Sequence, residues 1–171
     1  MIDAGHSEVI QNGEPKVWRF TITEYETLSE ELYPTYYRSE LIDGIIYRKP
    51  TTHTAHEAVV NLIVEYFYGR YQRGFTIRIK SPIESYGESV PKPDVAICEH
   101  RKDGYMSDRP DSSEIHLLIE VALSSLSYDR NKKKGNYAAA GVTHYWIANL
   151  QDDQLEVYTQ PRSAEPDLPQ E

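Results

Sequence analysis

The chain has a single cysteine, Cys98, which excludes an internal disulfide framework and a cysteine-rich zinc site and leaves a small buried residue as its simplest reading. No apolar run approaches the roughly 20 residues that cross a bilayer. The amino end lacks a basic stretch followed by an apolar one, so neither a membrane span nor an export signal is expected, and the expected location is the cytoplasm. A glycine-rich loop ahead of Lys-Ser or Lys-Thr and a Gly-x-Ser-x-Gly elbow are also missing, which leaves P-loop chemistry and serine hydrolysis unsupported. Positive charge is short: 18 Lys and Arg against 27 Asp and Glu give a net charge of −9. Affinity for nucleic-acid phosphates comes largely from Lys and Arg, so this balance argues against indiscriminate binding while leaving room for a local basic patch. No internal repeat is found.

What is present suits one globular domain. At 171 residues, 39% hydrophobic and 26% charged, the chain is long enough for one substantial core. Residues 1–17 are polar and aperiodic and are expected to form a flexible tail; residues 161–171 carry three prolines and three acids and are expected to be disordered. That leaves 18–160 for the domain. Thr23 and Glu26 have capping-box spacing and open a short helix to Leu32, with Pro34 beyond it. Asp43-Gly44 accepts the positive φ of a two-residue hairpin turn, a register that puts Glu40, Ile42, Ile45 and Tyr47 on one face. From His56 to Arg73 the apolar residues Val59, Leu62, Ile63, Tyr66 and Phe67 recur at helical spacing, with His56 one turn earlier on the buried side.

Phe75 to Lys80 alternates as a strand, and Ser81 to Val90 leads back as a connection. The polar stretch from Glu99 to Glu114 is too long for a tight hairpin; it is expected either to cover the site or touch substrate, or to be a disordered excursion. Gly141 is placed to end the last helix, and Tyr145 to Leu150 with Leu155 to Thr159 read as a closing hairpin. The order helix, hairpin, helix, three strands, helix, two strands describes a mixed α/β domain whose central sheet is flanked by the two longer helices.

The chemistry concentrates between Lys92 and Tyr145. Asp94 opens the apolar run Val95 to Cys98, and Glu120 closes the run Ile115 to Val121. If these strands pair antiparallel, the start of one lies beside the end of the other; alternation then gives Val95, Ile97, Leu117, Ile119 and Val121 one face and leaves Asp94 and Glu120 the other. Two converging carboxylates repel unless a cation lies between them, and oxygen ligands of this kind suit Mg²⁺ or Mn²⁺. Asp129 is placed to cap the helix that follows, and Lys133 shares a helix face with Tyr137 and Ala140, whereas Lys132 and Lys134 lie to either side. An ammonium there can orient water or stabilise charge on a phosphate. Arg130, Lys132, Lys133 and Lys134 form one basic group, and Arg70, Arg73, Arg78 and Lys80 a second. Both also read as solvated faces.

Lys92-Pro93-Asp94, Leu118-Ile119-Glu120-Val121, Asp129-x-x-x-Lys133-x-x-x-Tyr137 and Ala140-Gly141-Val142-x-x-Tyr145-Trp146-Ile147 together resemble the Uma2-like family, also called DUF820, a branch of the PD-(D/E)XK nucleases. The resemblance runs from about Phe20 to Tyr158. It implies a restriction-endonuclease-like fold and metal-dependent phosphodiester hydrolysis, with Asp94 and Glu120 at the metal-binding acids; the backbone carbonyl of Val121, beside Glu120, is the further ligand expected here. The lysine of the classical motif lies two residues beyond the second acid, where this chain has Ala122; the family moves it to the following helix, and Lys133 matches that place. Ser124-Ser125-Leu126 stands where the family often has Ser-Pro-Ser. Glu40 matches an acidic position and is a possible third acid, otherwise an exposed strand carboxylate. His56 matches a common histidine and is otherwise a satisfied core residue; His53 carries less.

Three functions are compatible with these residues. The first is a Mg²⁺- or Mn²⁺-dependent endonuclease acting on nucleic acid, with DNA the expected substrate and a homodimer the expected assembly. The second is a nuclease-like domain that no longer cuts but binds nucleic acid or a protein. The third is a metal hydrolase of a small phosphoester.

Overall fold

In the computed structural model, residues 17–31, 38–51, 53–71 and 74–161 are described. The two expected tails lie outside these apart from Val17 and Pro161, as do Leu32, Pro34 and Arg73. The elements are α1 (Ile22–Glu31), β1 (Ser39–Ile42), β2 (Ile45–Arg48), α2 (Thr54–Tyr71), β3 (Phe75–Ile79), β4 (Val95–Glu99) and β5 (Ile115–Ala122). A third helical segment follows, built of α3 (Leu126–Tyr128), a π-helical turn (Asp129–Lys133) and α4 (Lys134–Ala139), and then β6 (His144–Asn149) and β7 (Gln154–Thr159). This is the mixed α/β order expected from the pattern.

Strands β3 to β7 lie side by side in chain order in one sheet, and β1 and β2 form a separate hairpin. Neighbours in the sheet are antiparallel except β5 and β6, which are parallel. A parallel pair needs a crossover connection, and the third helical segment supplies it. Alternation along the strands gives each face its own core. Val95, Ile97, Leu117, Ile119 and Val121 pack against Val60 of α2, with Val59, Ile63, Val64 and Phe67 beside it. Ala96, Cys98, Leu118, Ala122 and Ile147 face the other way, onto Leu126, Tyr137, Val142 and Tyr145.

The expected face of α2 is rotated. Leu62 and Tyr66 are 63% and 58% exposed and Val60 is buried instead, while His56 is buried as expected. Apolar residues surround this helix on most sides, so the sheet, rather than the periodicity, selects which stripe is covered. The capping box of α1 also moves: Thr21 Oγ1 accepts from Glu24 N at 3.2 Å and Glu24 Oε2 accepts from Thr21 N at 2.8 Å, so Thr21 and Glu24, not Thr23 and Glu26, close the box. Asp129 does not cap a helix, because its backbone is already helical (φ −66, ψ −40) and the segment starts at Leu126. The end of that segment is as expected. Gly141 has φ +85, Val142 N donates to Tyr137 O and Gly141 N to Ala138 O, the paired bonds of a Schellman stop.

The hairpin is pinned over one end of the sheet. Gly44 in its turn has φ +74, and a Cβ there would lie 2.8 Å from Arg19 Cβ. Gly44 N donates to Glu88 O, Phe20 N to Gly44 O and Val90 N to Leu41 O, tying the hairpin to the segments on either side. The polar stretch after β4 is ordered: Arg101 pairs with Asp103 and Asp108 and lies 4.5 Å from the centre of the buried Tyr105 ring. It leaves β4 at Glu99, the end opposite Asp94, and does not line the cleft described next.

Candidate functional site

Val95 pairs with Ile119, so Asp94 stands one step before β4 and level with Glu120. The pleat turns both onto the face that α4 covers, where the first turn of α2 also reaches Asp94 through His56. A cleft of about 700 Å³ opens over them. Its walls are the base of the hairpin (Arg38, Tyr47, Arg48, Lys49), His53 with the first turn of α2 (His56, Glu57), and the turn after β5 (Leu123, Ser124, Ser125) with Tyr128 of α3. Glu40, Lys92, Asp94, Glu120, Asp129 and Lys133 also line it and are buried.

Lys133 is 1% exposed, and its Nζ lies 2.7 Å from Glu120 Oε1 and 3.1 Å from Glu40 Oε2. The π-turn, which ends on Lys133, inserts an extra residue into the helical ladder and helps aim this side chain down at Glu120 on the central strand. Tyr137, one turn on, donates its hydroxyl to the same Glu120 oxygen at 2.9 Å. Ala122, at the classical lysine position, is buried in the core; the ammonium arrives through space from the neighbouring helix instead. Glu40 is not an exposed strand carboxylate: it is 1% exposed and accepts from Lys92 N at 2.9 Å.

Asp94 Oδ2 accepts from Val121 N at 2.9 Å and lies 3.0 Å from His56 Nε2. Against a carboxylate oxygen only a protonated Nε2 makes that bond, and Nδ1 is then buried with no partner among the described residues. The N–H and C=O of one strand residue point to the same side of the strand. Since the Val121 N–H turns to Asp94, its carbonyl points there too, past the end of β4 and into the space the two acids flank. Lys49 Nζ donates to Lys92 O at 2.6 Å and lies 4.0 Å from Asp94 Oδ1.

The charges are strongly coupled. Burial works against ionising Asp94, but the His56 hydrogen bond and the charges of Lys49 and Lys133 outweigh it and hold the carboxyl well below its usual range. Burial likewise opposes Glu40, which Lys133 and Lys49 nevertheless keep below its ordinary value. Glu120 goes the other way, pushed up to about 8 by burial against the pull of Lys133, with Asp94 adding repulsion. Lys133 pays its desolvation cost and still stays protonated well above the usual lysine range, because Glu120, Glu40, Asp129 and Asp94 surround it. Lys92 falls to about 8 through burial.

Among the described residues no group of three or more His, Cys, Asp or Glu side chains is arranged to hold a metal ion. Two carboxylates and a backbone carbonyl are the donor set of a hard cation that keeps several of its waters, which fits Mg²⁺ or Mn²⁺. Asp94 Oδ1 and Glu120 Oε2 have no hydrogen bond among the described residues. Oxygens are therefore left for such an ion.

The two expected basic groups fare differently. Of the first, only Lys133 reaches the cleft: Arg130 pairs with Glu156, Lys134 lies over the Tyr158 ring and Lys132 is exposed. Of the second, Lys80 lines the cleft and pairs with Glu57, whereas Arg78 lies over Tyr105 and Arg70 is an exposed residue of α2. Sequence reasoning missed Arg38, Arg48 and Lys49. The Asp43-Gly44 turn places them at the open base of the hairpin, but no local signal says that the hairpin lies over the end of the sheet.

A family model described as "Putative restriction endonuclease", for Uma2, matches residues 22–171. The fold is similar to the crystal structure of a putative nuclease belonging to DUF820 from Anabaena variabilis ATCC 29413, with a TM-score of 0.59 and 18% identity over 86% of this chain and 88% of that one. None of the curated proteins matches the chain in sequence. Among the described residues no helix is long and apolar enough to cross a membrane.

Proposed function

The chain belongs to the Uma2 family, and on that premise we propose that it is a cytoplasmic, metal-dependent endonuclease that hydrolyses phosphodiester bonds in DNA. One observation carries this reading: Asp94 and Glu120 stand level at the end of β4, with the Lys133 ammonium 2.7 Å from Glu120, under a cleft whose hairpin wall is cationic. Mg²⁺ or Mn²⁺ held by Asp94, Glu120 and the carbonyl of Val121 would polarise the phosphodiester and acidify an attacking water.

The protein's own groups do the rest. Tyr137 and Lys133 hold Glu120 Oε1, so the carboxylate presents Oε2 to the cleft. Val121 N–H and His56 hold Asp94 Oδ2 in the same way and leave Oδ1 facing outward. Glu40 keeps Lys133 charged and fixed, and that charge offsets the negative charge building on a phosphate during displacement. In this scheme Asp94, Glu120 and Lys133 are catalytic, while His56 and Glu40 are positioning residues. A homodimer is the assembly this proposal includes.

Supercoiled plasmid incubated with Mg²⁺, with Mn²⁺ and with chelator tests the proposal, with Glu120→Gln and Lys133→Met in parallel. Wild type alone should nick the plasmid, and only with metal. A second reading, a domain that binds without cutting, has one observation in its favour: Lys133 already pairs with both Glu120 and Glu40 without any added cation. It predicts salt-dependent DNA retention with no cleavage under any metal.

A further inference from the structure

We propose that the cleft admits a single strand of nucleic acid and not an intact duplex, with Arg38 and Arg48 gripping the phosphates at its mouth and Tyr47 offering a ring to a base. This rests on the nuclease reading and names the form of substrate that the same site takes.

The first reason is depth. Glu120 and Asp94 are 2% and 4% exposed, so a phosphate reaches them only by descending into a cleft of about 700 Å³. That is the size of a site for a compact ligand, within the roughly 300–1,000 Å³ of small-molecule clefts. Duplex DNA is stiff, with a persistence length of about 50 nm. It cannot dip one phosphate into such a space without dragging its second strand against the walls, whereas an unpaired strand bends at every nucleotide.

The second reason is the chemistry of the walls. Arg38 and Arg48 are exposed at the open base of the hairpin, line the cleft, and have no ionic partner among the described residues. They are thus unlike Lys80, tied to Glu57, and Lys133, tied to Glu120. Tyr47, half-buried in the same wall, is set against Tyr128 with ring centres 4.9 Å apart, which fixes it as a platform. Unpaired cations beside a fixed aromatic are what sequence-tolerant single-strand binding uses: charge for the backbone and a π-face for the base. In a chain of net charge −9, these two arginines give the mouth of the cleft positive charge that no carboxylate among the described residues pairs with.

The test reads binding apart from cleavage. Wild-type protein in chelator is titrated into a labelled 12-nucleotide DNA strand and into the same strand closed as a hairpin duplex, with fluorescence anisotropy over a range of salt concentrations. The single strand should bind at least about tenfold tighter, and Tyr47→Leu should weaken that binding at least about fivefold, the low end of what loss of one stacked base costs. Arg38→Gln with Arg48→Gln should lower the salt slope by about 1.4, two contacts at roughly 0.7 each on a single strand. Both arginines are exposed, so this pair keeps the test sound if Tyr47→Leu does not fold. Equal or tighter binding of the duplex, or an unchanged salt slope in the arginine pair, overturns the inference even if the plasmid is cut. Preferential single-strand binding upholds it even if no cleavage is found.

Discussion

Replacing Lys133 with methionine keeps the length of the side chain and removes its charge. The ammonium is 1% exposed and sits 2.7 Å from Glu120 and 3.1 Å from Glu40, with Asp94 and Asp129 close enough to raise its affinity for a proton. Breaking a buried ion pair by removing one partner costs about 3–5 kcal/mol, because the remaining charge is left uncompensated in a poorly solvated place. Glu120 tempers this, since a carboxyl already pushed up to about 8 can take a proton instead of staying charged. The loss should therefore stand near the lower figure, about 3 kcal/mol at pH 8, and shrink toward pH 6. For a chain of this length that is roughly 6–12 °C in Tm. Urea denaturation of wild type and Lys133→Met in chelator measures it. Adding Glu40→Gln to Lys133→Met removes one of the stranded carboxylates and should recover more than about 1 kcal/mol. A single variant within about 0.5 kcal/mol of wild type, or a double variant no better than the single, would refute the claim that Lys133 is the charge that makes the acid cluster tolerable.

Three further outcomes follow from the same geometry. In the unfolded chain Glu120 loses its proton near 4.5 and in the folded protein near 8; between these values the folded state holds more protons, so this group's contribution to stability is lost as pH rises through the window. The melting temperature of Glu120→Gln relative to wild type, in chelator, should accordingly climb from pH 5 to pH 8, and a flat difference would contradict the assignment. Gly44→Ala places a methyl against Arg19 at φ +74 and should cost roughly 1–3 kcal/mol; since Glu40 rides on the same hairpin, nicking activity should fall with it. The Cys98 thiol, raised to about 12 by burial, should ignore a disulfide reagent at pH 8 in the native protein and react at once in denaturant. Rapid native labelling would mean that the core under β4 opens.

Much of the site was legible in one dimension because its parts are tied to periodic elements. Asp94 and Glu120 end short apolar runs, and a period of two leaves only one face for each once the strands pair. Lys133 was selected by helix spacing from Tyr137, and both side chains do meet the same Glu120 oxygen. The Asp43-Gly44 turn and the Gly141 stop are backbone events that their own residues dictate, and both stand where expected. Residues that depend on long-range placement were not legible. Nothing near Arg38, Arg48 or Lys49 announces that the hairpin lies over the end of the sheet, since that follows from bonds between Gly44 and Glu88 and between Leu41 and Val90, distant in sequence. Nor did the run Arg130 to Lys134 reveal that only one of its cations turns inward, because the π-turn that orients it has no periodic signature. The sheet likewise chose which stripe of α2 to bury, leaving Leu62 and Tyr66 outside. Local chemistry determined the elements and the acids. Packing alone decided which charges face each other, because Coulomb interactions depend on distance in space and not on position along the chain.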